Sequence, residues 1–136
     1  MREKKFRAWI KKDNKMTSVW SINFSKASGD PSYPDANEIA TDDNHLIGVD
    51  TQAILMQFTG LLDKNGTPIF EKDFVKDKVL DLQLIDWCQE CLGYQCFYEY
   101  ESKMLCHNCD GNFDISELEG IEVIGNVYES PELNQP

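Results

Sequence analysis

The sequence is 136 residues long and has a formal net charge of −11 at pH 7, and a chain of this length predicts one compact domain, with no room for a second. No apolar run approaches the roughly 18 to 20 residues of a membrane-spanning helix, and the start MREKKFRAWIKK lacks the apolar stretch of a signal peptide. We therefore expect a cytoplasmic protein with no membrane partner.

The charge is unevenly distributed along the chain. Residues 1–15 carry seven Lys or Arg side chains against two acidic ones, whereas residues 79–136 carry twelve acidic side chains against Lys103 alone. Nucleic-acid binding depends on Lys and Arg neutralising backbone phosphates, so we expect no direct nucleic-acid binding by the acidic half. This acidic half should prefer a protein partner with a basic surface. The simpler interpretation of the acidic residues is that they only keep the protein soluble.

The first half of the chain predicts a hairpin followed by a long loop. The segment KKFRAWI (4–10) reads as a strand, the polar KKDNK that follows as a reversal, and the alternating Trp20, Ile22 and Phe24 as the returning strand. Residues 25–44 are rich in Gly, Pro, Ser and Asp, which predicts a loop, and order is expected to resume at residues 45–49.

The second half predicts further strands. Residues 54–58 form a short apolar strand before the turn Asp63-Lys64-Asn65-Gly66, in which Asn-Gly suits a tight reversal. The leucines at 80, 82 and 84 alternate with polar residues, and residues 93–100 and 121–128 are rich in aromatic and β-branched residues. No longer segment has a helical period. We predict a mostly β fold, a small antiparallel barrel or sandwich with at most short helices.

Three blocks of the sequence carry a family resemblance: REKKFRAW at the start, LMQFTGLLDKNGTPIFEKDFV in the middle and IEVIGNVYESPEL at the end. They resemble the YopX family of small phage and prophage proteins, whose members open on a KFRAW-like strand, carry a QxTGLxDKNGxxIxEGDxV block and finish on EVIGNxYENPEL. The resemblance implies a β-rich, phage-encoded protein with one YopX-like domain over residues 1–136. Lys72 stands where relatives usually have glycine, and the cysteines are not a hallmark of the family.

All five cysteines lie between Trp87 and Asp110, and four of them form two Cys-x-x-Cys-x-Gly motifs, Cys88/Cys91 and Cys106/Cys109. Fourteen residues separate Cys91 from Cys106, enough for a strand, a turn and a returning strand, which is the layout of a zinc ribbon. Two such loops on facing hairpins make the four-thiolate cage that zinc favours. We predict structural zinc on Cys88, Cys91, Cys106 and Cys109, with residues 86–113 as a zinc-ribbon-like sub-element.

Two other interpretations of the cysteines remain open, ordinary reduced thiols and a redox pair, although the sequence lacks the βαβ context of a redox Cys-x-x-Cys. We expect the glycine after each pair to let the backbone curl, so that amide N–H groups reach the sulfurs. Cys96 should pack within a strand. His107 is either a solvated loop residue or a replacement for one thiolate, and His45 should lie on the surface.

The sequence predicts a non-enzymatic protein. Four protein ligands leave zinc no open position for substrate, and no phosphate loop, nucleophile elbow or HExxH motif is present. We expect an acidic, phage-encoded protein that binds and inhibits a host defence protein; a CRISPR effector nuclease, with its positively charged channels, is the preferred target, which would make this an anti-CRISPR protein. The alternative is a zinc-ribbon nucleic-acid-binding protein of phage transcription or replication, with Tyr94, Phe97, Tyr98 and Tyr100 stacking bases.

Overall fold

The computed structural model describes residues 5–26, 34–41, 46–48, 52–77, 82–111, 115 and 120–134. Within them the strands β1 to β11 are, in order, Phe6–Ile10, Lys15–Lys26, Pro34–Thr41, Leu46–Gly48, Ala53–Leu62, Pro68–Phe70, Asp73–Lys76, Gln83–Cys88, Gly93–Tyr100, Lys103–Cys106 and Glu122–Asn126. A short 3-10 helix follows at Pro131–Asn134. The predicted mostly β, antiparallel fold is confirmed; among the described residues the strands form open sheets, not a closed barrel.

The chain divides into two compact units, Lys4–Gln57 (the amino-terminal unit) and Phe58–Pro136 with Met1–Glu3 (the carboxy-terminal unit), and β5 runs from one into the other. That all 136 residues act as one domain stays a prediction. No helix of the described residues is long and apolar enough to cross a membrane.

The amino-terminal unit is an antiparallel sheet in the order β4-β3-β2-β1-β5. The predicted hairpin is confirmed, since β1 pairs with β2 from Arg7 opposite Ser18 to Ile10 opposite Lys15. Side chains on one face of each strand meet in a core, because successive strand residues point to opposite faces. That core consists of Ala8, Ile10, Ile39 and Ala53.

The carboxy-terminal unit contains a five-stranded antiparallel sheet in the order β10-β9-β8-β7-β11, and its share of β5 pairs with β6. Its core is formed by Ile69, Val75, Ile85, Cys96, Ile115 and Ile121. In this sheet β8 and β10 flank β9, and each is antiparallel to it. Strands β8 and β10 therefore run in the same direction, and the turns that follow them carry the two cysteine pairs.

Two sequence-based predictions are wrong in detail. The loop predicted over residues 25–44 is interrupted by β3, which pairs with β2 and β4 and buries Ile39; residues 27–33 and 42–45, including His45, lie outside the described residues. The strand predicted around Leu80, Leu82 and Leu84 begins only at Gln83, and Gln83, Ile85 and Cys88 are its buried residues. Residues 78–81 are not described.

The turn after β5 is built around the carboxylate of Asp63. One oxygen of this buried side chain accepts the N–H groups of Asn65 (2.8 Å) and Thr67 (2.9 Å), and the other accepts the N–H of Val123 on β11 (3.0 Å). Burial by itself would raise the pKa of Asp63, but the backbone hydrogen bonds outweigh it and lower the pKa. The Asp-Lys-Asn-Gly turn is therefore also the attachment point of the last strand.

The turn between β6 and β7 places Lys72 in the left-handed region, at φ 71°. Its N–H donates to the carbonyl of Ile85 (2.7 Å), which fixes the backbone, and its ammonium lies 2.6 Å from a carboxylate oxygen of Asp86. A non-glycine residue in this region costs roughly 1 to 2 kcal/mol. The left-handed backbone thus gives a physical reason for the glycine that the family resemblance implies here, and this chain offsets part of the cost with an ion pair.

We expect Lys72→Gly to unfold at a higher denaturant concentration than Lys72→Ala. Both variants lose the partly exposed ion pair, worth about 0.2 to 1 kcal/mol, but only glycine relieves the left-handed strain. After the greater entropy of unfolded glycine is subtracted, the difference should be about 1 kcal/mol. Urea titrations of the two variants measure it, and an alanine variant at least as stable as the glycine one would contradict this account of the turn.

Glycine is also required for packing at Gly125 on β11. A Cβ placed there would lie 2.5 Å from the Oγ of Ser130, because the chain turns back over the strand. That turn is held by Asn126, whose side-chain oxygen accepts the N–H groups of Tyr128 (3.0 Å) and Glu129 (2.8 Å). The block IEVIGNVYESPEL therefore encodes β11, the turn that closes it and most of the 3-10 helix.

Candidate metal centre

Strands β8 and β10 end on the first cysteine of each pair, Cys88 and Cys106, and the second cysteine lies in the turn that follows. We call these turns the first knuckle (Cys88–Gly93) and the second knuckle (Cys106–Gly111). Cys88 is paired with Gly93 and Cys106 with Phe97, both on β9, so the sheet fixes the position of each leading cysteine.

The four sulfur atoms of the two knuckles lie within 4.8 Å of one another. The Sγ–Sγ distances are 3.3 Å between Cys91 and Cys109, 3.5 Å between Cys88 and Cys109, and 3.8 Å between Cys91 and Cys106. These exceed the roughly 2.05 Å of a disulfide bond, and none of the five cysteines, all of which lie in described segments, forms a disulfide. The predicted four cysteines are thus brought together in an arrangement compatible with a metal site.

Backbone amides surround the leading sulfur of each knuckle. The sulfur of Cys88 accepts the N–H groups of Glu90 and Cys91, and that of Cys106 accepts those of Asn108 and Cys109. The expectation that N–H groups face the sulfurs is confirmed for both. The role expected of the glycines holds only for Gly111, at φ 75°; in the first knuckle Leu92 takes the left-handed conformation, at φ 55°.

These contacts give the thiols of the cluster different pKa values. The N–H of Cys91 lowers the pKa of Cys88 to about 7, although burial acts in the opposite direction. Burial raises the pKa of Cys106, and the neighbouring sulfurs of Cys91 and Cys88 raise that of Cys109. One thiolate therefore forms readily, and each further negative charge in so small a space requires a cation. This pattern of pKa values is compatible with a metal ion bound to the four thiolates.

Cys96 and His107 lie beside the cluster without joining it. Cys96 packs in the core at 1% exposure, as the sequence predicted. The expectation of a solvated His107 is wrong: its side chain is 7% exposed, its ring lies 4.3 Å from that of Tyr98, and its Nε2 is 2.5 Å from Oε1 of Gln83. Burial lowers the pKa of His107, against the opposing charge of Asp110. Neither its spacing nor its neighbours in sequence indicated this burial.

Comparison with known proteins places the whole chain in one family. The model of the YopX protein family matches residues 5–134. The chain belongs to the YopX family. Its structure is similar to the crystal structure of protein EF1440 from Enterococcus faecalis, with a TM-score of 0.56 and 24% sequence identity over 99% of this chain and 100% of that one. A search of curated proteins gave no match.

Membership in the YopX family indicates a small phage-type protein. The family blocks have structural roles here: Asp63 and Gly66 form the turn that holds β11, the Lys72 position is left-handed, and Gly125 admits the closing turn. The four-cysteine cluster lies outside these blocks and is the strongest candidate functional site among the described residues.

Proposed function

We propose that this YopX protein is a non-enzymatic binding protein, that Cys88, Cys91, Cys106 and Cys109 hold one structural zinc ion, and that the acidic surface around this centre binds a basic surface of a host protein. The observation that carries the proposal is the convergence of the four sulfurs within 4.8 Å. A tetrahedral zinc with Zn–S bonds of about 2.3 Å requires sulfurs about 3.8 Å apart. The sulfur pairs at 3.3 to 3.8 Å need only small adjustments to meet it.

The proposed role for zinc is structural, because four thiolates fill its coordination sphere and leave no position for substrate. The ion would join the turns after β8 and β10 and supply the cation that the crowded sulfurs require. A cleft of about 360 Å³ in the carboxy-terminal unit is lined by Thr59, Gly60, Leu61, Tyr94 and Ile115. The described residues that line this cleft include no carboxylate, imidazole or thiol.

Zinc binding should weaken steeply in mild acid. Each bound sulfur loses its proton, so up to four protons leave per metal ion, and affinity falls as pH drops below the thiol pKa values. Because the pKa of Cys88 is about 7, its own contribution appears between pH 8 and 6. Between pH 7 and 6 the apparent Kd should rise by about 10³-fold or more. Competition against a chromophoric chelator measures this, and a Kd independent of pH would contradict thiolate ligation.

The charge of the described residues from 82 onward favours a basic partner. Their exposed carboxylates are opposed by one exposed cation, Lys103. These carboxylates belong to Glu90, Glu99, Glu101, Asp110, Glu129 and Glu132. A CRISPR effector nuclease has strongly positive guide and target channels, so an anti-CRISPR protein of this charge would compete for them. We propose this target class because its charge is complementary to the acidic surface.

Binding to purified CRISPR effector nucleases tests this target. We expect a complex at about 50 mM salt that dissociates by about 500 mM, because salt screens the contacts between exposed charges. Double reversal of Glu99 and Glu101 to lysine should abolish the complex. The matched reversal of Glu129 and Glu132, beside and in the 3-10 helix, distinguishes the contribution of the carboxylates in the zinc-ribbon-like element from an effect of net negative charge alone. Recovery of no nuclease at low salt would remove this target.

The alternative, a nucleic-acid-binding ribbon, finds less support in the geometry. It needs free aromatic faces, but the ring of Tyr98 is covered by His107 and its hydroxyl donates to Asp110, while Tyr94 packs edge-on against Trp87 at 5.2 Å. It also needs cations, and Lys103 alone is available from residue 82 onward in the described segments. A mobility shift that persists after neutralising Lys4, Lys5, Arg7, Lys11 and Lys12 would favour it.

A further inference from the structure

The second knuckle is attached to the sheet by contacts that involve none of its cysteine sulfurs. The N–H of His107 donates to the carbonyl of Cys96 on β9 (3.0 Å), which extends the pairing of β9 with β10 by one bond. At the far side of the knuckle, the carboxylate of Asp110 accepts the hydroxyl of Tyr98, also on β9. The knuckle is thus held to the same strand at both of its sides.

The ring of His107 provides a third attachment, to a different strand. The ring lies against that of Tyr98, with centroids 4.3 Å apart, and its Nε2 reaches Oε1 of Gln83 on β8 at 2.5 Å. An amide oxygen only accepts, so Nε2 carries the hydrogen and donates it. Both His107 and Gln83 are buried, at 7% exposure each. A buried bond of this kind fixes the orientation of the ring and of the backbone that bears it.

We propose that His107 is a positioning residue of the four-cysteine centre, which, with Gln83 and Tyr98, holds the second knuckle so that Cys106 and Cys109 face Cys88 and Cys91 before a metal ion arrives. This inference rests on the proposed zinc function and deepens it. His107 adjoins Cys106 in the chain, and its ring is anchored to β8, the strand that ends on Cys88. The hydrogen bond between His107 and Gln83 therefore links the second knuckle to the strand that carries the first.

The consequence is a preformed site. A metal ion that binds preplaced ligands does not have to order them, so the affinity is higher than for free cysteine pairs. Residues that orient metal ligands without touching the metal typically contribute about 10- to 100-fold to affinity. A hydrogen bond from the Asn108 side chain to the sulfur of Cys91 (3.3 Å) joins the knuckles directly and adds to the same effect.

The test compares zinc and cobalt binding in variants of the whole chain. His107→Phe retains an aromatic ring beside Tyr98 but removes the donor, and Gln83→Leu removes the acceptor. The matched control is Gln95→Leu, because Gln95 is a similarly buried glutamine on β9 whose oxygen accepts the N–H of Ile115 (3.1 Å), a residue outside both knuckles. Gln83→Glu keeps an acceptor and serves as the conservative rescue.

We expect His107→Phe and Gln83→Leu to weaken zinc binding by about 10- to 100-fold in competition titrations. Gln95→Leu should lower the unfolding temperature of the metal-free protein as much as Gln83→Leu does, yet keep wild-type affinity, and Gln83→Glu should retain most of the affinity. The thiolate-to-cobalt absorption bands of His107→Phe should keep their wild-type positions, because His107 is not a ligand.

Three outcomes would overturn the inference. Wild-type affinity in both His107→Phe and Gln83→Leu would show that the network does not position the ligands, and equal weakening in Gln95→Leu would assign the effect to general stability. A shift of the cobalt bands in His107→Phe would make His107 a ligand. Failure of the wild-type protein to bind either metal is distinguishable from all of these, because it removes the zinc proposal itself.

Discussion

Removal of the proposed zinc ion by a chelator should lower the unfolding temperature of this YopX protein by roughly 10 to 20 °C. A ligand that binds only the folded state stabilises it by about 4 kcal/mol when its free concentration is 1,000-fold above Kd, and 1 kcal/mol corresponds to several degrees for a chain of this size. Thermal melts with and without chelator, followed by circular dichroism, measure the shift. Addition of excess zinc should restore the original transition.

Cysteine variants test whether the chelator-induced drop in unfolding temperature comes from the four-cysteine centre. Cys91→Ser should melt near the chelated wild-type protein and respond little to chelator, because one of four ligands is lost. Cys96→Ala is the matched control: Cys96 is buried in the core and lies outside the cluster, so its melt should start lower but show the full chelator shift. A wild-type melt that chelator leaves unchanged would contradict a structural metal.

Replacement of Asp63 by alanine should cost about 3 kcal/mol or more of unfolding free energy. Three backbone N–H groups, those of Asn65, Thr67 and Val123, lose their acceptor, and a hydrogen bond to a charged group contributes about 1.5 to 3 kcal/mol. Asp63→Asn, which keeps one acceptor oxygen, should fall between alanine and wild type. Equilibrium urea unfolding of the three proteins measures these free energies of unfolding.

A neighbouring ion pair provides the control for Asp63, and pH provides a second test. Lys64 and Glu122 pair at 3.4 Å while 47% and 36% exposed, so Glu122→Ala should cost under about 1 kcal/mol. The pKa of Asp63 is lowered on folding, so its contribution is complete above the unfolded value of about 3.9 and is lost as pH falls through the lower folded value. The difference in unfolding free energy between wild type and Asp63→Ala should narrow in that pH range. An equal difference at all pH values would contradict the role of the carboxylate.

How far the sequence predicts this fold depends on whether local signals agree with tertiary pairing. The first hairpin and the Asp63–Gly66 turn were predictable, because alternation and turn residues are local. Strand β3 was missed, since its Pro, Asp and Asn residues favour a loop, and pairing on both sides, with β2 and β4, overrides that preference. The leucine alternation before β8 misled for a related reason: the buried residues of β8 are Gln83, Ile85 and Cys88, and none of them is a leucine.

In the candidate site, too, the features set by local sequence were predictable and those set by tertiary pairing were not. The spacing of Cys88, Cys91, Cys106 and Cys109 was sufficient to predict that their sulfurs meet, because each knuckle is a local structure and the interval fits one hairpin. The burial of His107 was not predictable, since its acceptor Gln83 lies 24 residues away and on another strand. Spacing identifies the candidate ligands, but tertiary pairing decides what holds them.

The most direct test of the central claim is the zinc content and zinc X-ray absorption spectrum of the purified protein. We expect one zinc per chain with four sulfur neighbours at about 2.3 Å, and no bound zinc in a variant that has both Cys88 and Cys106 replaced by serine. Folded wild-type protein that stays metal-free after incubation with zinc, or a spectrum dominated by nitrogen and oxygen neighbours, would contradict the four-cysteine zinc centre.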